Sequence, residues 1–575
     1  MNEEQALSEA LLTEAKTGSL LRGIRAQVHS DRLAAVLASL HNNNQVDVVA
    51  AFRELTQSEA AGPSFFVTRH VFEELLPDLN ASVGAVVRCV LHLSREAGEG
   101  ILAGSILSSY VDFCLKDPER PREALQLVEG DLPALMDIMP ATIVAGSQLD
   151  GPFYLAETIR FLTHADVDVR RRAVFSLARF QWTKGEGVPD SAIVALDHTV
   201  ERESDDNLLA SAIGAAFSVL SHDSARTDWS IAFIDKALTK GADQAIHAAS
   251  KLLIANTKNL PPSLCQLLLR QLKRVEPTNK DTLDYIDLGI GNLLARDDPE
   301  EGLRFLEDLI VGGIPTNVFD NTLHRIRENP SLTSKVVTRW FLRSQQTLWI
   351  AVEEIGQQHS RQQREIAVDP VELKPGDGLH IVFVARKAIG YFMTQPITAA
   401  SLIISLMAHA PDDETLNALG QLLFDPLMMN YPGSAREYVE KRATGESGKV
   451  KDTIGKALAS IDQYLDVLCA MPDLATLQPS QSQREAYHRH SSESMAASMR
   501  AAQEQSVFFN LVSHSTLLYG NRSINYVHTA PGETRRTEMQ LARHGVEFEF
   551  PRMDSIDPYE LNYMYRVFRL ESLRA

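Results

Sequence analysis

FLTHADVDVRRRAVFSLARF, residues 161–180, closes one helical stretch at Phe161–Leu162, crosses a polar turn and opens another. Ala173, Val174, Leu177 and Ala178 follow at the one-, three- and four-residue steps of a single helical face. The same pattern continues downstream. Ile193, Leu196 and Val200 share a face over 190–200, and Leu209, Ile213, Ala216, Phe217 and Leu220 share one over 206–220. Thr227–Asp228 is expected to cap the helix that carries Ile231, Ile234 and Leu238. Ile246, Ala249, Leu253 and Ile254 follow. Pro261–Pro262 then opens a helix with Leu264, Leu268 and Leu272.

The first helices of successive pairs begin near 152, 190, 228, 262 and 299, giving steps of 38, 38, 34 and 37 residues. One helical hairpin occupies that length, and a hairpin recurring at this period is expected to bury its apolar face against its neighbours as a solenoid. The turn and second helix of 161–180, with Asp166, Asp168, Val169 and Arg170 leading into Ala173, Val174, Leu177 and Ala178, resemble a HEAT repeat, and the array as a whole resembles the divergent HEAT or armadillo-like superfamily. The resemblance implies that an Asp of this stretch caps the second helix and that the Arg two or three positions later joins a polar ladder between units, with the small and aliphatic residues packed inward. Neighbouring units keep the layout without the Asp–Arg motif.

The expected fold is therefore all-α, an α-solenoid of stacked helical hairpins with a small C-terminal α+β appendage. Residues 1–150 form an N-terminal helical region and 151–356 the clearest array. Residues 357–378 read as a polar insertion or linker, and 379–475 as a continuation of the array. Residues 476–506 read as a polar linker and helix. Residues 507–575 read as a small α+β module, and from 516 to 550 the period shortens to two, which predicts strands over 523–527, 534–541 and 546–550 with a turn at Ala530–Pro531–Gly532. Asp557–Pro558 then starts a closing helix with Leu561, Met564, Tyr565 and Phe568 on one face.

With 575 residues, 44% of them hydrophobic and 23% charged, the chain has the composition of a folded protein too long for one core. The formal charge is −19. From residue 481 onward eleven Arg balance eleven Asp plus Glu, so the first 480 residues carry the excess. Acidity of that kind disfavours nucleic acid as the main ligand. The dense basic spots in the array are Arg170, Arg171 and Arg172, then Arg270, Lys273 and Arg274. Cys89, Cys114, Cys265 and Cys469 lie far apart without a CxxC pair, which excludes a zinc-ribbon framework and points to buried reduced thiols. The acidic N-terminus lacks a signal-peptide layout, and the apolar run between Pro396 and Pro411 is too short to span a bilayer. These features predict a cytoplasmic protein with no membrane contact.

No catalytic constellation emerges, and no cofactor or metal is expected. GESGK at 445–449 lacks the first glycine, the hydroxyl and the preceding strand of a phosphate loop. Glu485 and His488 have one half of a di-metal spacing, in a polar stretch. Gly289 and Gly291 interrupt a helix and are read as sites of close packing or of a local kink. Two Pro-punctuated turns, Phe424–Asp425–Pro426 and Asn430–Tyr431–Pro432–Gly433–Ser434, could shape a recognition loop with Tyr431, Arg436 and Tyr438. Tyr519, Arg522, Tyr526, Arg535 and Arg536, beside His528 and His544, could form a contact face on the C-terminal sheet, because Arg and Tyr favour interface hot spots. The expected role is a non-enzymatic scaffold or adaptor for one or more proteins. The alternative is a nucleic-acid-handling subunit of a genome-maintenance or defence complex, an expectation that rests on analogy of fold.

Overall fold

Apolar side chains at three- and four-residue steps leave water only when each helix turns one face to a neighbour. The computed structural model describes residues 3–573 except 29, 31, 58–62, 99–103, 184, 256–259, 357–362, 374–375, 473–478, 505–511, 519–521, 531–532 and 541–548. Helix dominates the described residues, which divide into two compact units, Met1–Thr322 and Leu323–Ala575.

In the first unit further helices lead to α1 (Met139–Leu149), α2 (Gly151–Leu162), α3 (Val167–Leu177), α4 (Asp190–Arg202), α5 (Asp206–His222), α6 (Thr227–Lys240), α7 (Asp243–Ala255), α8 (Pro262–Leu272), α9 (Lys280–Leu294) and α10 (Glu300–Val311). Most of these helices pack on a chain neighbour and on the helix two places along. Thus α1, α3, α5, α7 and α9 follow one another in contact, and so do α2, α4, α6 and α8. Ala173, Val174 and Leu177 of α3 are fully buried.

Hydrogen bonds between neighbouring hairpins, from helices and from the turns that join them, keep a similar register. Gln181 N reaches Ser147 Oγ at a separation of 34, Val188 N reaches Asp223 at 35, and Arg270 reaches Asp235 at 35. Lys116 meets Asp78 at 38. These separations coincide with the 34- to 38-residue steps of the sequence. Asp166 Oδ1 accepts from Asp168 N at 2.8 Å and caps α3. Arg170 Nε donates to Glu203 at 2.7 Å and Arg172 Nε to Asp137 at 3.0 Å, so both arginines bridge neighbouring hairpins.

Carboxylates also cap the helices of the next hairpin. Asp206 accepts from Ala242 N, Gln244 N and Ala245 N at the start of α7. Asp287, 2% exposed in α9, accepts from Asn321 N, Asn321 Nδ2 and Thr322 N, each at 2.8 Å, at the start of α11 (Asp320–Glu328). The cap expected from Thr227–Asp228 is absent. α6 starts at Thr227 without a side-chain cap, and Asp223 instead caps the short turn before it. At Gly289 an added Cβ would lie 2.5 Å from Leu253 Cδ2, so the glycine lets α9 approach α7.

The second unit continues with α12 (Pro330–Leu342), α13 (Gln346–Gly356), α14 (Gly378–Phe392), α15 (Pro396–Met407), α16 (Asp413–Leu422), α17 (Ser434–Ala443) and α18 (Gly448–Ala470). Its packing again pairs chain neighbours and helices two places along, with α12 on α14, α14 on α16, α15 on α17 and α16 on α18. Over its described part the segment expected as a polar insertion or linker, 357–378, joins two helices without helix of its own up to Asp377 and is packed on α15. Residues 363–369 lie along α15, where Ile366 N donates to Ser401 Oγ (2.9 Å) and Val368 N to Ser405 Oγ (3.0 Å). Ile366 and Val368 are buried. Hydroxyls on α15 supply the hydrogen bonds that a hydropathy reading cannot assign.

α19 (Gln481–Glu504) follows, with its side chains exposed from 481 to 501. β1 (Val512–Leu518), β2 (Arg522–Ala530) and β3 (Glu533–Gln540) form an antiparallel sheet in the order β1-β2-β3. The strands expected at 523–527 and 534–541 correspond to β2 and β3. β1 was not foreseen, because Ser513–His514–Ser515–Thr516 is too polar to signal a strand. Most of the strand expected at 546–550 lies outside the described residues, and Glu549–Phe550 is not strand. α20 (Pro558–Leu570) closes the fold.

Cys89, Cys114 and Cys265 are buried and Cys469 is exposed, so the reading of four buried thiols holds for three. Among the described residues one apolar run, Leu132–Leu149, has the length and composition to cross a membrane, and half of it is buried in the helical packing.

Candidate interaction site

α20 starts where Asp557 Oδ1 accepts from Glu560 N (3.1 Å) and Pro558 occupies a position that needs no donor. Leu561, Met564, Tyr565 and Phe568 recur at helical spacing, and the helix packs on α14. Leu561 is buried, and Met564, Tyr565 and Phe568 are half-buried.

The C-terminal turns of α14 and α20 meet. The last four carbonyls of a helix have no partner within it, and its C-terminus carries partial negative charge. Each helix here supplies a cation to the other. Lys387 Nζ donates to Arg569 O at 2.7 Å, and Arg569 Nε donates to Gly390 O at 2.6 Å. Gly390 marks the close approach, since an added Cβ would lie 3.2 Å from Phe568 Cβ and 3.4 Å from Arg569 N.

Two ion pairs flank this exchange: Arg569 with Glu353 at 3.2 Å and Arg386 with Glu571 at 3.0 Å. Aromatic rings complete the cation shells. Lys387 Nζ lies 3.5 Å from the centre of the Trp349 ring, and the Arg386 guanidinium lies 4.6 Å from that of Phe568. Burial pulls Lys387 down to about 8, helped by Arg386 and opposed by Glu571. Burial also raises Glu571, against the pull of Arg386 and Lys387, and pushes the Tyr391 and Tyr565 phenols up to about 12.

A second foothold lies at Asn430. Arg552 N donates to Asn430 O at 3.1 Å and Met553 N to Asn430 Oδ1 at 3.0 Å. Asn430 Nδ2 donates to Pro426 O at 2.8 Å, which fixes the amide. The Pro-punctuated turns thus hold the chain's own C-terminal segment.

Two candidate contact residues there are corrected. Tyr431 is fully buried and Tyr438 is 9% exposed, because both apolar rings fill space between helices. Burial raises both phenols. Arg436 is half-buried and paired with Asp462 at 2.9 Å. On the sheet, Tyr526 is the register partner of Arg536, Val527 of Arg535, and Arg522 of Gln540, with Arg536 exposed. Tyr519 and His544 lie outside the described residues.

The sequence reading missed Trp349, Glu353, Arg386 and Lys387. A signal was present in LHIVFVARKAIGYF, where two adjacent cations sit inside an otherwise apolar helix.

The basic spots of the array are engaged. Arg170, Arg171 and Arg172 pair with Glu203, Asp168 and Asp137. Arg270 pairs with Asp235 and Lys273 with Asp308, while Arg274 donates to the carbonyls of Leu238 and Gly241. Lys449 of the GESGK segment lies in the first turn of α18 and pairs with Asp413 at 2.8 Å. Glu485 and His488 are exposed on α19, and among the described residues no group of three or more His, Cys, Asp or Glu could hold a metal.

No protein-family model and no curated protein matches the chain. Among solved structures, the crystal structure of an engineered protein from a structural-genomics programme is similar over 80% of this chain and 99% of its own, at 14% identity and a TM-score of 0.19. A likeness at that score carries no argument about fold or function.

Proposed function

We propose that the chain is a non-enzymatic scaffold or adaptor. In this reading the helices form an α-solenoid of HEAT-like hairpins, and the sheet with α20 forms a C-terminal module that works beside it on partner proteins in the cytoplasm. The supporting observation is the recurrence of bonds between neighbouring hairpins at about 35 positions, as from Arg270 to Asp235, Lys236 to Glu201 and Arg172 to Asp137. Contacts between successive hairpins produce extended surfaces suited to holding other macromolecules. The nucleic-acid alternative draws less support, because the basic spots it would use are already bound to carboxylates or carbonyls. Phosphate contacts require cations free to release counterions.

Affinity purification of the full chain from its native host, beside a chain ending near residue 480, tests this reading. A protein partner is expected to co-purify stoichiometrically with the full chain and to be reduced on truncation. Recovery of nucleic acid alone, with salt-labile binding, would overturn it.

A further inference from the structure

We propose that the groove formed by α13 and α14 is a recognition site for an amphipathic helix of a partner, and that α20 occupies it in cis. The proposal names a partner chemistry for the adaptor reading and rests on that reading.

The occupant's chemistry can be read from the groove. Trp349, Phe383 and Tyr391 are buried apolar groups behind the cations. Glu353 takes an arginine in the last turn of the incoming helix, Lys387 takes a carbonyl of that turn, and Arg386 takes a carboxylate just past its end. The ligand is therefore a helix with apolar residues at i, i+3, i+4 and i+7, then arginine at i+8 and an acid at i+10. α20 supplies this set as Leu561, Met564, Tyr565, Phe568, Arg569 and Glu571. The negative end of the ligand helix meets two cations, so direction as well as composition is specified.

Two features make the cis occupant exchangeable. Leu561 is the one buried side chain of α20, and the rest of its inner face is half-exposed. Arg386 Nε is buried without a hydrogen-bond partner, so a ligand acid that satisfies it gains what α20 leaves unmade, and Glu571 Oε1, likewise unpartnered when docked, regains water on release. The chain is held again at Arg552 and Met553 on Asn430, a few residues before α20, so α20 acts at an effective concentration on the order of millimolar, which a partner helix must exceed through affinity.

The test uses the full-length chain and a fluorescein-labelled synthetic peptide of residues 549–573. In a full-length Phe568→Ala/Arg569→Ala variant the cis helix is weakened, and the peptide is expected to bind about tenfold or more tightly than to wild type. A peptide with Arg569→Ala, or a Gly390→Leu change added to the variant, is expected to lose that binding. Equal peptide affinity for wild type and variant would overturn the proposal, as would equal binding of the Arg569→Ala peptide. Should the variant misfold, hydrogen exchange on the wild-type chain decides. The α20 amides are expected to exchange by local opening about 100-fold faster than the α14 amides. Equal protection would show a helix that cannot be displaced. Loss of peptide binding with protein capture intact removes the groove and leaves the adaptor; loss of both removes the adaptor as well.

Discussion

Replacing Asp287 with alanine removes a carboxylate that is 2% exposed and accepts three hydrogen bonds of 2.8 Å from the start of α11. The donors differ in what they recover. Asn321 is exposed, so its amide and side chain can turn to water, whereas Thr322 is fully buried and its N–H is stranded. A stranded buried donor costs about 1–3 kcal/mol, and each lost bond to a charged acceptor removes about 1.5–3 kcal/mol before water compensates. Relief of the buried charge offsets part of this. The expected net cost is about 3 kcal/mol for Asp287→Ala, and about half of that for Asp287→Asn, which keeps one acceptor and the volume. A chain this long need not unfold in a single step, so the primary assay is hydrogen exchange at 320–323, supported by urea unfolding. Protection at Thr322 should fall by about two powers of ten, the change that ~3 kcal/mol makes. If Asp287→Ala leaves both protection and the urea midpoint unchanged, the carboxylate is not what couples the two hairpins.

Leu177→Ala should destabilise the first unit by about 2–5 kcal/mol, as for other fully buried leucines, and an unchanged melting curve would count against the packing of α3. Stability of the second unit should rise with pH above about 8. Lys387 sits at about 8 in the folded chain, below its ordinary 10.5, chiefly because burial disfavours the ammonium, so folding favours the neutral amine. Below pH 8 the lysine is charged folded or unfolded and no pH dependence arises from it; above 8 folding gains up to about 1.4 kcal/mol per unit. Tyr391 and Tyr565, raised to about 12, oppose the trend once free tyrosine ionises, so the useful window is roughly pH 8 to 9.5. The urea midpoint of the second unit should rise across it, and a fall would refute the assignment. In the native protein a maleimide should label Cys469 rapidly. Cys114 and Cys265, whose thiols burial raises to about 12 and about 11, should react only on unfolding, as should Cys89, which burial raises further.

The sequence by itself determined the helical class, the 34- to 38-residue period and the start of α20 at Asp557–Pro558. Each is set by local physics: the spacing of apolar side chains around a helix, the length of one hairpin, and a capping carboxylate followed by proline. It also showed two of the strands, where side chains alternate. Tertiary structure decided the rest. Tyr431 and Tyr438 looked like surface anchors because aromatic residues beside Pro and Gly turns suit both a rim and a core, and only packing distinguishes the two. Residues 363–369 looked like a linker because their hydrogen-bond partners, Ser401 and Ser405, lie some 35 positions away. The groove of Trp349, Glu353, Arg386 and Lys387 was hidden for the same reason on a longer scale, since Lys387 meets Arg569 across 182 positions and Arg569 meets Glu353 across 216. Apolar periodicity fixes which face a helix buries. It carries no information about which distant helix covers that face, and that choice rests on the meeting of two helix ends and the cations that neutralise them.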